Sequence, residues 1–166
     1  EHGAKKILLE KPGALNINHL EEMFELSRKN DVRLLIAFNR RFYASVQALK
    51  NFAERDGGII SAHFEFTEWI HTINPRDYDK KTLNKWIISN SSHVIDTIFF
   101  IIGNPETMKS KVFGESKISW HPSGSVFYGL GKSIKNIPFT YHANWQSAGR
   151  WTIKILTKKE CYYLEP

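Results

Sequence analysis

Two stretches of this sequence carry residue types suited to proton transfer. The first is Glu10-Lys11-Pro12. A lysine ammonium is a point charge whose ionisation responds readily to burial, and the proline after it fixes the backbone. The second is Ser89-Asn90-Ser91-Ser92-His93-Val94-Ile95-Asp96. Histidine titrates near neutrality, and Asp96, three residues on, shares a helical face with His93. A carboxylate there can hold one imidazole nitrogen and leave the other free for a proton. Each stretch also has a plainer reading: a surface lysine at a strand end, and a part-buried histidine satisfied by a neighbouring acid.

Other residues stand near these two. Arg41 and Tyr43 can reach substrate hydroxyls or a phosphate, or pair on the surface. Trp86, just ahead of the His93 segment, is placed to wall a substrate site. Trp69, Trp120, Trp145 and Trp151 fall in expected strands and read as packing residues. His63, His71, His121 and His142 lack metal-ligand spacing, so no metal is expected.

The elements that must position these groups come in two kinds. Lys6-Ile7-Leu8-Leu9-Glu10 and 32–38 read as buried strands of a parallel sheet. Between them lies a helix with Asn18 as its cap and Glu21 at the reciprocal position. This β-α-β unit places Lys11 at the carboxyl end of its strand, where open α/β sheets bind ligands. From Asn39 the pattern changes. Phe42, Val46, Leu49 and Ala53 mark an amphipathic helix ended by Gly57-Gly58, and Ile60, Ala62, Phe64 and Phe66 alternate as a half-buried strand. Residues 70–86 read as a long polar loop. An apolar helix over 90–102, capped by Ser89 or Asn90, carries His93 in its first turn and stops at Gly103. Strands follow at about 108–119, 124–130, 137–146, 150–157 and 160–164. Phe139, Tyr141, Ala143 and Trp145 form a dry face for the two helices to cover; Thr140, His142, Asn144 and Gln146 form a polar one. The expected fold is α/β followed by α+β, with a large, open, antiparallel-rich sheet.

Composition narrows the function classes. The 166 residues are 42% hydrophobic and 13% aromatic, enough for a packed core and against disorder. One cysteine excludes a disulfide framework and favours a reducing, cytoplasmic setting. The apolar run 98–102 is far too short to span a bilayer. The net charge of +6 favours anionic partners, but the bases are scattered in short pairs and form no nucleic-acid module. Neither nucleic acid nor membrane is expected as a partner.

Taken in order, Glu10-Lys11-Pro12, then Asn39-Arg40-Arg41-Phe42, then Ser92-His93-Val94-Ile95-Asp96 at the start of an apolar helix, resemble the Gfo/Idh/MocA oxidoreductases. The closing Tyr162-Tyr163-Leu164-Glu165-Pro166 looks like a late sheet strand of that family. The resemblance implies that 1–38 is the C-terminal remnant of a Rossmann-type dinucleotide-binding domain and 39–166 a substrate-binding, catalytic α+β domain. It implies hydride transfer between NAD or NADP and a carbinol of a sugar, cyclitol or sugar nucleotide. Lys11 and His93 would handle the carbinol proton. Glu10, Lys11 and Pro12 would meet the cofactor; Arg41, Tyr43, Trp86 and Ser89 would meet the substrate. It also implies a homodimer or homotetramer through the open sheet.

Two departures from the family pattern stand out. Ser89 occupies the position, four residues before the histidine, where the family usually has aspartate. The glycine-rich phosphate-binding turn is absent, Gly129-Leu130-Gly131 being the only Gly-x-Gly. The chain therefore reads as a fragment, inactive alone, of a longer enzyme. The competing readings are a non-catalytic relative serving binding or assembly and, more distantly, a nucleic-acid-binding domain.

Overall fold

The computed structural model describes residues 3–165; the sequence readings that touch Glu1, His2 and Pro166 lie outside them. The element order is β1 (Lys6–Glu10), α1 (Ile17–Lys29), β2 (Arg33–Ala37), α2 (Ala44–Arg55), β3 (Ser61–Phe66), α3 (Lys80–Asn84), α4 (Ser92–Ile102), β4 (Pro105–Phe113), β5 (Val126–Ser133), β6 (Pro138–Asn144), β7 (Trp151–Leu156) and β8 (Cys161–Leu164), joined in places by short 3-10 turns.

β1 and β2 pair in parallel, with Leu8 opposite Leu35 and Glu10 opposite Ala37. Both strands were expected to be buried, but they are not. Leu9, Leu34 and Ile36 share one half-buried face, while on the other Leu8 is 70% exposed and Leu35 47%. An apolar run needs cover on both faces to be buried, and α1 packs against this pair on one side only. The α1 cap also differs from expectation. Asn16, not Asn18, stands outside the helix and accepts the His19 amide at 2.9 Å.

The remaining strands form one sheet in the order β4-β5-β6-β3-β7-β8. Four of its five neighbouring pairs are antiparallel and β3–β6 is parallel. The sheet is thus antiparallel-rich, open and covered by helices on one face, as the alternation predicted. Phe64, Phe139, Ala143 and Trp145 are buried, and Tyr141 is half-buried. α4 lies across them with Val94, Ile98, Ile101 and Ile102 inward, and its Phe99 ring meets Phe64 and Phe139 edge-on at 5.8 and 5.2 Å. Such pairs add about 0.5–1.5 kcal/mol to the burial itself. α2 buries Val46, Leu49 and Ala53. Gly129 and Gly131 belong to this packing. A side chain at either would strike the Tyr141 or Phe139 ring, at 2.8 and 2.7 Å. Their spacing serves the sheet and not a phosphate.

Several boundaries differ from expectation. The 70–86 loop contains α3, whose first amides are capped by Asp79. The strand expected to reach 119 stops at Phe113, because Gly114 and Ser116 take left-handed backbone conformations and turn the chain. Trp120 accordingly sits in a connection, Trp69 and Trp145 lie just past the ends of β3 and β6, and only Trp151 of the four is in a strand. α4 is not capped by Ser89 or Asn90. A π-helical turn, Ile87–Ser91, runs directly into it.

Candidate active site

The π turn explains how residues far apart in sequence converge. It keeps the chain helical through 87–91 while offering carbonyls and side chains to neighbours that a regular helix would satisfy internally. Lys11, at the carboxyl end of β1, donates from Nζ to the Ser89 carbonyl at 2.6 Å. Burial lowers the Lys11 pKa, and the Arg40 charge lowers it further; Glu10 and Glu68 oppose the shift.

His93 lies one residue into α4, in the first turn as expected. Burial, then the charges of Lys11 and Arg40, push its pKa down to about 4. The imidazole is therefore neutral at physiological pH. Its Nδ1 is buried with no partner, as are Ser92 Oγ and Trp86 Nε1. Buried polar atoms are normally paired, and this imidazole nitrogen, within the field of the Lys11 ammonium, is an exception. The Lys11–Pro12 peptide is cis.

The Asp96 carboxylate does not hold His93. It takes both Nε and Nη2 of Arg41, with Nε to Oδ2 at 2.7 Å. A bidentate guanidinium–carboxylate pair is stronger than a contact with a neutral imidazole. Arg41 is thereby engaged 55 residues along the chain, and Arg40 turns the other way, lying 4.4 Å over the Trp151 ring.

The cleft in front of this arrangement has a volume of about 340 Å³, within the usual range for small-molecule sites. Trp69, Tyr78, Trp86 and Trp151 line it as aromatic walls, with Arg40, Glu68, Asn90 and Arg150 as polar groups. Arg150 sits 3.9 Å over Trp69. Of the residues singled out in the sequence, Trp86 lines the cleft. Lys11 and His93 are not among the lining residues; Lys11 is linked to the cleft by the charges of Arg40 and Glu68, and His93 by the Arg40 charge and the Trp151 ring, 6.5 Å away. Ser89 offers its carbonyl to Lys11, while its hydroxyl lies among the Thr82, Lys85 and Trp86 carbonyls at 3.2–3.4 Å. Tyr43 lines a smaller neighbouring cleft shared with Arg40 and Trp151.

Sequence reasoning missed Glu68, Asn90, Arg40 and Arg150. Glu68 alone left a local trace. It continues the inward phase of Ala62, Phe64 and Phe66, and a carboxylate in that phase must be buried with partners. Those partners are Asn90, at 3.0 and 3.1 Å, and Ser91, at 2.5 Å. Among the described residues no three His, Cys, Asp or Glu side chains group as metal ligands, and no helix is long and apolar enough to cross a membrane.

No protein-family model and no curated protein matches the sequence. Solved structures do match in fold. The super-repressor mutant of Gal80p from Saccharomyces cerevisiae is 14% identical, with a TM-score of 0.79 over 96% of this chain and 48% of its own. The WlbA dehydrogenase from Bordetella pertussis, in complex with NADH and UDP-GlcNAcA, is 16% identical, with a TM-score of 0.78 over 95% and 50%. The myo-inositol 2-dehydrogenase from Lactobacillus plantarum is 14% identical, with a TM-score of 0.73 over 96% and 50%. The fold is therefore the one found in Gfo/Idh/MocA-type dehydrogenases, and the chain spans about half the length of these structures.

Proposed function

We propose that this chain, with a Gfo/Idh/MocA-type fold, is the substrate-binding part of an NAD(P)-dependent oxidoreductase acting on a carbinol of a sugar, cyclitol or sugar nucleotide. The observation that carries this reading is that Lys11, held on the Ser89 carbonyl, stands close enough for its charge to act on His93, four residues further along, whose Nδ1 is buried and unpaired. The fold fits it, since WlbA was solved with NADH and a sugar nucleotide. In this reading 1–38 is the remnant of a dinucleotide-binding domain and 39–166 the catalytic domain.

When bound, the nicotinamide supplies the hydride acceptor or donor. The residues of this chain do the rest. The Lys11 ammonium holds the reacting oxygen and gives it a proton when the carbonyl is reduced, the neutral amine takes that proton back when the carbinol is oxidised, and His93, neutral, hydrogen-bonds the same oxygen. Trp69, Trp86 and Trp151 exclude water and pack the apolar face of a sugar ring. Arg40, in place of Arg41, reaches ring hydroxyls; Tyr43 and Ser89 take lesser parts, Ser89 through its carbonyl. Glu10, Lys11 and Pro12 fit the reacting end of the cofactor, at the carboxyl end of parallel strands. The described residues include no glycine-rich strand-to-helix turn, so the cofactor phosphates are assigned elsewhere. The single exposed cysteine, Cys161, fits a reducing, cytoplasmic setting. The open sheet face, with Tyr128, Leu130, Thr140, His142 and Tyr163, fits a homodimer or homotetramer.

A second reading, a non-catalytic binding or assembly module, is favoured by Ser89 and by the shared fold of Gal80p, solved as a super-repressor. One pair of variants separates the two. In the full-length protein, Lys11→Met should lower turnover about 10²–10⁴-fold and leave NAD(P) affinity unchanged. Ser89→Asp should alter turnover in an enzyme. Turnover indifferent to both changes would reject the catalytic reading.

A further inference from the structure

Glu68 is the cleft's own carboxylate, and the mechanism above does not use it. It is 7% exposed. Its Oε1 accepts from Ser91 Oγ and Asn90 Nδ2, and its Oε2 accepts from Asn90 Nδ2. These donors are neutral. A carboxylate held only by neutral donors still needs a counter-charge when water is excluded.

The turn Ser89–Ser91 supplies one by position. Ser89 takes the Lys11 ammonium on its carbonyl, while the next two residues take Glu68 on their side chains. An ammonium and a buried carboxylate are thus fastened to three consecutive residues. The charged groups facing Lys11 are Arg40, from the turn after β2; Glu10, on β1; and Glu68, after β3; the titratable but neutral His93, on α4, faces it as well. Arg40 works against the ammonium, and Glu10 and Glu68 work for it. Glu10 is exposed, so solvent and salt weaken its field. Glu68 is shielded from both.

We infer that Glu68 is the positioning carboxylate of this site: through the Ser89–Ser91 turn it balances the Lys11 ammonium against Arg40 and fixes where that ammonium stands. The inference rests on the reading of Lys11 as the proton-handling group.

The test is made on the full-length protein with Glu68→Gln and Glu68→Asp. The Lys11 side chain is followed by NMR titration of isotope-labelled lysine, its signal assigned with Lys11→Arg. In Glu68→Gln the Lys11 ionisation should fall, as the loss of a nearby opposite charge requires. Turnover should fall about tenfold or more with KM little changed, as for a group acting on the chemical step, and its alkaline limb should move the same way. Glu68→Asp keeps the charge and should restore the Lys11 titration. The inference is overturned if Lys11 titrates in Glu68→Gln as in the wild type. It is equally overturned if aspartate fails as glutamine does, since the effect is then one of packing. The titration needs no turnover, so a protein without dehydrogenase activity would reject the proposed function and leave Glu68 to be decided by Lys11 alone.

Discussion

Among the described residues two pairs of strands are parallel, and they are covered very differently. In β3–β6, Phe64 and Phe139 are each 2% exposed beneath α4. In β1–β2, Leu8 and Leu35 face solvent. The sequences invite the opposite conclusion, because Ile7-Leu8-Leu9 is a continuous apolar run whereas β3 alternates with Ser61, His63 and Glu65. Burial follows the neighbours a strand acquires and not its own apolar content. The six-stranded sheet has two helices to cover its dry face, and β1–β2 has part of one. The active-site candidates sit at the seam: Lys11 is carried by the thinly covered pair, and His93 and Glu68 by the thickly covered one.

The largest expected effect tests that contrast directly. Phe139→Ala should cost about 3–5 kcal/mol, the usual range for a buried aromatic ring. Leu8→Ala should stay within about 0.5 kcal/mol, as for an exposed position. Chemical denaturation of both variants decides it. A Leu8→Ala cost near that of Phe139→Ala would mean that the outer face of β1–β2 is covered in solution.

What the sequence revealed was governed by local periodicity. The alternation through Phe64 and Phe66, and again through Phe139, Ala143 and Trp145, was legible because a period of two fixes the inward face without knowledge of the partner. Gly103 was legible as a stop because its φ of 88° suits glycine. Partners distant in sequence were not legible. Asp96 reads as the mate of His93 three residues away, yet the stronger bidentate donor, Arg41, arrives from 55 residues upstream. The π turn before α4 was hidden because its hydrogen-bond ladder leaves no composition signal, and with it the grip of residues 89–91 on Lys11 and Glu68. Glu68 was half visible, as a charge in a buried phase.

A smaller effect probes the seam by pH. The imidazole of His93 has an ordinary pKa of 6.5 when unfolded and about 4 when folded. Over that window the unfolded chain binds the proton and the fold does not, so acid favours unfolding. The contribution is whole above about pH 6.5 and is lost as pH falls toward 4. Glu68, whose pKa burial raises, titrates with the opposite sign, so the measurement must be a difference. Between pH 7.5 and 4.5 the wild-type Tm should fall further than that of His93→Gln. Parallel curves would show that the imidazole is open to water.

The smallest effect belongs to the thinly covered unit alone. Asn16 Oδ1 accepts the His19 amide at 2.9 Å and satisfies one of the first donors of α1. Removing such a cap typically costs about 1 kcal/mol. In a molecule whose two sheets opened together, that cost would be felt everywhere. α1 has no fully buried residue, however, and α4 has five. Regions with few buried contacts open locally, below the free energy of global unfolding. Asn16→Ala should therefore speed amide exchange in α1 several-fold and leave the slowest α4 amides at their wild-type rates. Acceleration of α4 by the same factor would mean that β1–α1–β2 and the six-stranded sheet unfold as one unit, and the contrast between the two parallel pairs would then describe their surfaces and not their stabilities.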